Sequence, residues 1–120
     1  MIIGLFFGSF NPIHNAHINI AKEVIDKTDI DKVWMVLSPQ SPDKKNIIDK
    51  DIRYDLMKIA LSKFKNISIS TIEFDMPLPN YTYNTLKKIS KEFPSFEFRI
   101  IMGEDNYNKI QKWKDYKYIL

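Results

Sequence analysis

The feature that most constrains this chain is its opening. Residues 2–7 include Ile2, Ile3, Leu5, Phe6 and Phe7, and they run straight into Gly8-Ser9-Phe10-Asn11-Pro12-Ile13-His14-Asn15-Ala16-His17. A short, nearly continuous apolar run bounded by Gly-Ser reads as a strand buried on both faces. A helical pattern follows from Asn15 to about Lys27, with Ile18, Ala21, Val24 and Ile25 on one face. A glycine at the strand exit lets backbone approach a ligand. The helix start behind it offers unpaired N–H groups and the positive end of the dipole. Two histidines in that first turn add side-chain donors, so this turn suits an anion, polyphosphate in particular.

The rest of the chain continues the alternation. Residues 32–37, with Val33-Trp34-Met35-Val36-Leu37, read as a second strand, and residues 38–48 as a polar loop with Pro39, Pro42, Lys44 and Lys45. Asp49 or Asp51 starts a helix through Leu56, Met57, Ile59, Ala60 and Leu61 to Phe64. Ile67, Ile69, Thr71 and Phe74 alternate across a third strand, residues 66–74, before a loop over residues 75–81. Thr82 or Asn80 caps a helix to about Glu92, residues 96–102 read as a fourth strand, and residues 113–120 are expected to be helical. Strand–helix units joined by short loops imply a parallel sheet with right-handed crossovers and helices on both faces. Ligands then bind beyond the carboxyl ends of the strands. If the first and fourth strands are neighbours, Gly8–His17 and Gly103-Glu104-Asp105 face one crevice.

Composition narrows the classes. The chain has 120 residues, enough for one domain over residues 1–120, with 44% apolar and 28% charged residues. It has no cysteine, so no disulfide framework or thiolate metal site. No stretch approaches the roughly 20 apolar residues of a membrane span. The opening run is too short and lacks the basic flank of a signal peptide, so a cytoplasmic location is expected. A net charge of +3 and a pI near 9.0 suit an anionic ligand, while the scattered lysines argue against nucleic acid.

Each candidate residue has an ordinary reading beside the chemical one. His14 and His17 stand i, i+3, but no further histidine or cysteine completes a metal shell, so no metal site is assigned. A bare pair of core or surface histidines explains the spacing too. The Gly8-Ser9 turn favours donors to phosphate oxygens as charge builds in a transition state. Lys44 and Lys45 are a solvated pair or a loop that closes over phosphates. Arg53 clamps a phosphate bidentately or pairs with Asp49 or Asp55. Trp113 and Tyr116 are core aromatics or stack on a planar heterocycle, a cationic pyridinium above all. Tyr81-Thr82-Tyr83-Asn84-Thr85 is a hydroxyl-rich helix start of the kind that caps.

These residues resemble a family. Gly8-Ser9-Phe10-Asn11-Pro12-Ile13-His14-x-x-His17 is similar to the [TS]-F-x-P-x-H-x-x-H signature of the adenylyl- and cytidylyltransferase superfamily. Ser38-Pro39-Gln40-x-Pro42-x-Lys44, Arg53 with Met57 and Ala60, Tyr81-Thr82-x-x-Thr85-Leu86, Ile101-Met102-Gly103-x-Asp105-Asn106 and Trp113-Lys114-x-Tyr116 look like the bacterial nicotinate-nucleotide adenylyltransferases. Asn11 stands where many members have Asp, and Ala16 where many have Gly.

The resemblance implies a Rossmann-like α/β nucleotidyltransferase fold. It also implies transfer of the adenylyl group of ATP to nicotinate mononucleotide, giving nicotinate adenine dinucleotide and pyrophosphate in NAD synthesis. On it, His14 and His17 would contact the ATP phosphates. Gly8, Ser9 and Phe10 would line the nucleotide site, with Lys44 as a binding residue of the following loop. Gly103 and Asp105 would hold the adenosine side, and Thr82 and Trp113 would frame the pyridine ring. Mg2+ would ride on the triphosphate oxygens. Members also carry a later I-S-[ST]-T-x-x-R motif that binds the β- and γ-phosphates. Ile67-Ser68-Ile69-Ser70-Thr71 imitates it, but no arginine follows and the residues alternate like a strand. The sequence printed stops at Leu120 before such a motif, so the resemblance implies a C-terminally truncated domain. Such a domain would be less stable than a full member, with an uncovered face that invites homo-oligomers. Two alternatives stay open: a related nucleotidyltransferase with another phosphate acceptor, and a non-catalytic nucleotide-binding remnant.

Overall fold

The computed structural model describes residues 1–10, 12–39, 49–76 and 82–101. Their elements are β1 (Ile2–Gly8), α1 (Asn15–Lys27), β2 (Lys32–Leu37), α2 (Lys50–Leu61), β3 (Ile67–Ser70), a 3-10 turn (Ile72–Asp75), α3 (Thr82–Glu92) and β4 (Glu97–Ile101). The strands form one parallel sheet in the order β3-β2-β1-β4. The β1 register runs from Ile3↔Lys32 to Gly8↔Leu37 on one side and from Ile2↔Glu97 to Phe6↔Ile101 on the other. The first and fourth strands are therefore neighbours, as the crevice expectation requires. The order turns at β1, with β2 and β3 to one side and β4 to the other. That places the switch point, where ligands of such sheets bind, at the carboxyl end of β1.

The apolar run of β1 is explained by its two covered faces, since successive side chains of a strand point to opposite layers. Phe6, Val33, Met35, Leu37, Ile67 and Ile101 pack with Ala21 of α1 and with Met57 and Leu61 of α2. Ile3, Leu5 and Val36 pack with Leu86 and Ile89 of α3. Gly4 leaves no room for a side chain: a Cβ there would lie 2.7 Å from Ile101 Cδ1 and 3.2 Å from Ile30 Cγ2.

Local hydrogen bonds set the element ends, and several ends differ from expectation. The third strand stops at Ser70, not Phe74. Ser70 Oγ accepts from Ile72 N at 3.4 Å, and Phe74 N donates to Thr71 O at 2.9 Å, so the chain coils into the 3-10 turn. The second helix has Asp49 as its N-cap but ends at Leu61, short of Phe64. There Ser62 Oγ donates to Ile59 O at 2.9 Å, the competition for carbonyls that makes serine a poor helix-interior residue. Phe64 N then bonds Leu61 O at 3.0 Å, and Phe64 packs against the core. Strand β4 starts at Glu97, one residue later than expected. Helix α3 ends before Phe93-Pro94, since the residue before proline is pushed out of helical geometry.

Helix α2 is apolar on more than its core side. Met57 and Leu61 are buried, while Ile52, Leu56 and Ile59 are 54%, 40% and 73% exposed. Among the described residues no helix is long and apolar enough to cross a membrane.

Candidate functional site

The chain leaves β1 at Gly8 and turns left-handed at Phe10. Phe10 has φ of 44°, a left-handed conformation that is strained for a bulky residue, yet the residue is only 2% exposed. Its ring lies edge-on to Phe6 at 5.6 Å and to His17 at 4.9 Å, so burial of the ring offsets the strain. Gly8 leaves room for the same packing: a Cβ there would meet two carbons of the Phe10 ring at 3.2 Å, so the ring would have to give by a few tenths of an ångström. Gly8→Ala is expected to cost about 1–3 kcal/mol as an overpacked contact. Ser9→Ala beside it should stay within about 0.5 kcal/mol. Urea midpoints of the two variants check this difference.

The two histidines build the start of α1. His14 is the N-cap, in extended geometry, and its Nδ1 accepts from Ala16 N at 3.2 Å. His17 Nδ1 accepts in return from His14 N at 3.2 Å, a reciprocal capping box made of imidazoles. The rings lie 3.9 Å apart, tilted by 30°. Because each Nδ1 accepts, the proton of each neutral ring sits on Nε2. The loop thus presents two Nε2–H donors that these caps do not use. Burial, and secondarily the charge of His14, pushes the His17 pKa below the ordinary histidine value, which favours the uncharged ring near neutrality.

Behind this loop lies Arg53, in the first turn of α2 and 1% exposed. Its Nη1 donates to Ser9 O and to Ser38 O, each at 2.8 Å, and Nη2 donates to Pro39 O at 3.1 Å. Ser38 N also donates to Gly8 O at 2.9 Å. The guanidinium thus does more than a simple pair with Asp49 or Asp55 would: three of its hydrogen bonds go to main-chain carbonyls. It ties together the loops that leave β1 and β2, a role that depends on their being adjacent. Burial lowers its pKa, and the charge of Asp49 opposes that.

Gly8, Ser9, Phe10, His14 and His17 thus come together at the carboxyl end of β1. Thr82 starts α3, half-buried, beyond β3, whose exit lies two strand spacings from β1, roughly 10 Å. Lys44, Gly103, Asp105 and Trp113 lie outside the described residues, as do Asn11, Lys45, Tyr81, Asn106 and Tyr116.

Sequence reasoning missed a buried polar pair. Glu73, in the 3-10 turn, is 4% exposed, and Thr85, on α3, is fully buried. Thr85 Oγ1 donates to Glu73 Oε2 at 2.8 Å. Burial pushes the Glu73 pKa up, and the Thr85 bond works against that rise. The available signal was the placement of Glu73 between Ile72 and Phe74, inside apolar alternation. A separate cleft of about 360 Å³, lined by residues including Trp34, Ile72, Lys88 and Phe93, opens on the α3 side of the sheet and does not include the histidines.

Residues 5–120 match the family described as cytidylyltransferase-like. Over its whole length the chain is 48% identical to a protein of Flavobacterium psychrophilum named "probable nicotinate-nucleotide adenylyltransferase", and it spans 63% of that protein. A protein of the same name from Cytophaga hutchinsonii is 44% identical, and the chain spans 64% of it. Among solved structures, the nicotinic acid mononucleotide adenylyltransferase of Plasmodium falciparum, complexed with NaAD, superposes with a TM-score of 0.84 at 22% identity. That match covers 97% of this chain and 58% of the other, and it is a likeness of fold. The chain therefore spans less than two thirds of the length of the curated relatives it matches.

Proposed function

We propose that this chain, which belongs to the cytidylyltransferase-like family, transfers the adenylyl group of ATP to nicotinate mononucleotide in the cytoplasm. Nicotinate adenine dinucleotide and pyrophosphate are the products. The observation that carries the reading is the loop at the β1 exit, where an imidazole capping box leaves two Nε2–H donors at the switch point of the sheet. Whole-length similarity to proteins named as nicotinate-nucleotide adenylyltransferases supports the choice of substrates.

In this reading a phosphate oxygen of the mononucleotide attacks the α-phosphorus of ATP in line. The bond from that phosphorus to the bridging oxygen breaks, and pyrophosphate leaves with the electron pair. No protein nucleophile is needed, so the protein contributes position and fixed donors. His14 and His17 donate through Nε2–H to the phosphate oxygens where charge develops. Backbone of Gly8, Ser9 and Phe10 lines the phosphate path. By resemblance, Lys44 closes on the phosphates, Gly103 and Asp105 hold the adenosine, and Thr82 and Trp113 frame the pyridine ring. Mg2+ would neutralise phosphate charge when bound. Among the described residues no three His, Asp or Glu side chains converge on a common point, so no protein cage is assigned and no step is routed through the ion.

A second reading keeps the site and changes the acceptor, because the family description names cytidylyltransferases. The test is turnover of the chain with ATP, Mg2+ and nicotinate mononucleotide, run beside CTP with glycerol phosphate. Dinucleotide and pyrophosphate from the first pair alone are expected. Product from the second pair would reassign the acceptor. Retained ATP binding with no product from either pair would make the chain a nucleotide-binding module.

A further inference from the structure

Arg53 is a cation held 1% exposed, which is costly unless its N–H groups find acceptors. Three of its hydrogen bonds go to main-chain carbonyls, and those carbonyls belong to two loops leaving adjacent strands: Ser9 after β1, and Ser38 and Pro39 after β2. The consequence lies in the peptide planes. A trans peptide places its N–H antiparallel to its C=O. With Ser9 C=O aimed at the guanidinium, Phe10 N–H must point the other way, away from Arg53. That N–H donates to no acceptor among the described residues. The Ser38–Pro39 peptide, fixed by the same Nη1, ends in proline and carries no N–H at all. The result is a one-sided loop: carbonyls on Arg53, and on the opposite side of the Ser9–Phe10 peptide an amide with no acceptor among the described residues, in the residue whose ring packs on His17.

We propose that Arg53 is a positioning residue for catalysis, which acts without touching substrate by locking the Ser9–Phe10 peptide with its N–H toward the phosphates of the bound nucleotide. This rests on the reading of the β1 exit as the ATP phosphate site. Lysine would keep the charge but lose the fork that spans both loops.

The first test uses the unmodified chain: the backbone amide of Phe10 is followed by 15N NMR as ATP with Mg2+ is added, and separately as nicotinate mononucleotide is added. A large Phe10 shift with ATP is expected. ATP binding with no Phe10 shift overturns the inference and leaves the functional reading standing. An unmodified chain that does not bind ATP overturns both. The second test compares Arg53→Lys and Arg53→Ala by melting, by kcat, and by KM for each nucleotide. In the variants that fold, kcat/KM for ATP should fall by at least roughly tenfold, as for a lost preorganised donor. KM for the mononucleotide should change little. Millimolar guanidinium should restore Arg53→Ala more than equal NaCl does. Equal losses toward both nucleotides, or wild-type kinetics in Arg53→Lys, would overturn it.

Discussion

His17→Ala is expected to lower turnover by roughly 10²- to 10³-fold, the usual effect of removing one preorganised donor. The side chain has two separable jobs. Its Nδ1 accepts from His14 N at 3.2 Å and closes the cap of α1, and its ring packs edge-on to Phe10 at 4.9 Å. Its Nε2–H is not used by the cap and is the donor that the proposed function assigns to the ATP phosphates. His17→Gln separates them, because Gln at this capping-box position can still accept from the N-cap backbone. The glutamine variant should melt close to wild type and retain more activity than alanine. Steady-state dinucleotide formation with matched melting curves checks this. Alanine activity within tenfold of wild type would remove His17 from the chemistry.

The pH dependence of stability has a definite sign at this residue. Its folded pKa lies below the unfolded value of 6.5, so between the two the unfolded chain binds more protons. The His17 contribution is therefore intact above pH 6.5 and is lost as pH falls through 6.5 toward the lower folded value. His17→Ala should flatten that part of the stability profile.

The second large effect is expected at Thr85→Val, which keeps shape but removes the hydroxyl that donates to Glu73. Depriving a buried carboxylate of one donor costs about 1–3 kcal/mol at neutral pH. The bond spans from the 3-10 turn to α3, so the loss falls on the packing of that helix against the sheet. The sign with pH is opposite to that of His17. The folded pKa of Glu73 is raised above 4.5 by burial, so its stability contribution is fully present below 4.5 and is lost as pH rises through the folded value. Removing the hydroxyl, which lowers that pKa, deepens the cost of the charged form. The difference between wild type and Thr85→Val should therefore shrink as Glu73 is protonated on acidification. Urea denaturation at pH 7 and near pH 4.5 measures it. A difference that stays constant would mean that the pair is not where the charge cost lies.

Much of the fold could be read from apolar periodicity, because periodicity reports burial and burial decides the elements. Helix α1 begins at Asn15 and ends at Lys27, and β2 spans Lys32–Leu37, as their patterns require. The neighbouring of β1 and β4, on which the crevice depends, was conditional in the sequence and is settled by the β1–β4 pairing. The end of β3 was not legible, because period-two alternation through Ile69, Thr71 and Phe74 is blind to a Ser70 hydroxyl that accepts from Ile72 N and starts a coil. Nor could composition separate Met57 and Leu61, which are buried, from Ile52 and Ile59, which are exposed, since both sets suit a helix and only the packed partner chooses.

The amino-acid order by itself determined the alternating α/β plan and the Gly8–His17 turn, because a buried strand, a glycine and a capped helix start are local properties of consecutive residues. The tertiary structure alone decided what Arg53 and Glu73 do. In the sequence Arg53 has alternative roles and Glu73 is a lone charge inside apolar alternation, and neither has its partner marked. Arg53 becomes a buried crosspiece because parallel pairing of β1 with β2 brings Ser9 and Ser38 carbonyls within 2.8 Å of one guanidinium nitrogen. Glu73 becomes a buried acceptor because α3 folds Thr85 onto it. Both are contacts between residues distant along the chain, and no local pattern encodes which polar groups the packing of the sheet will enclose.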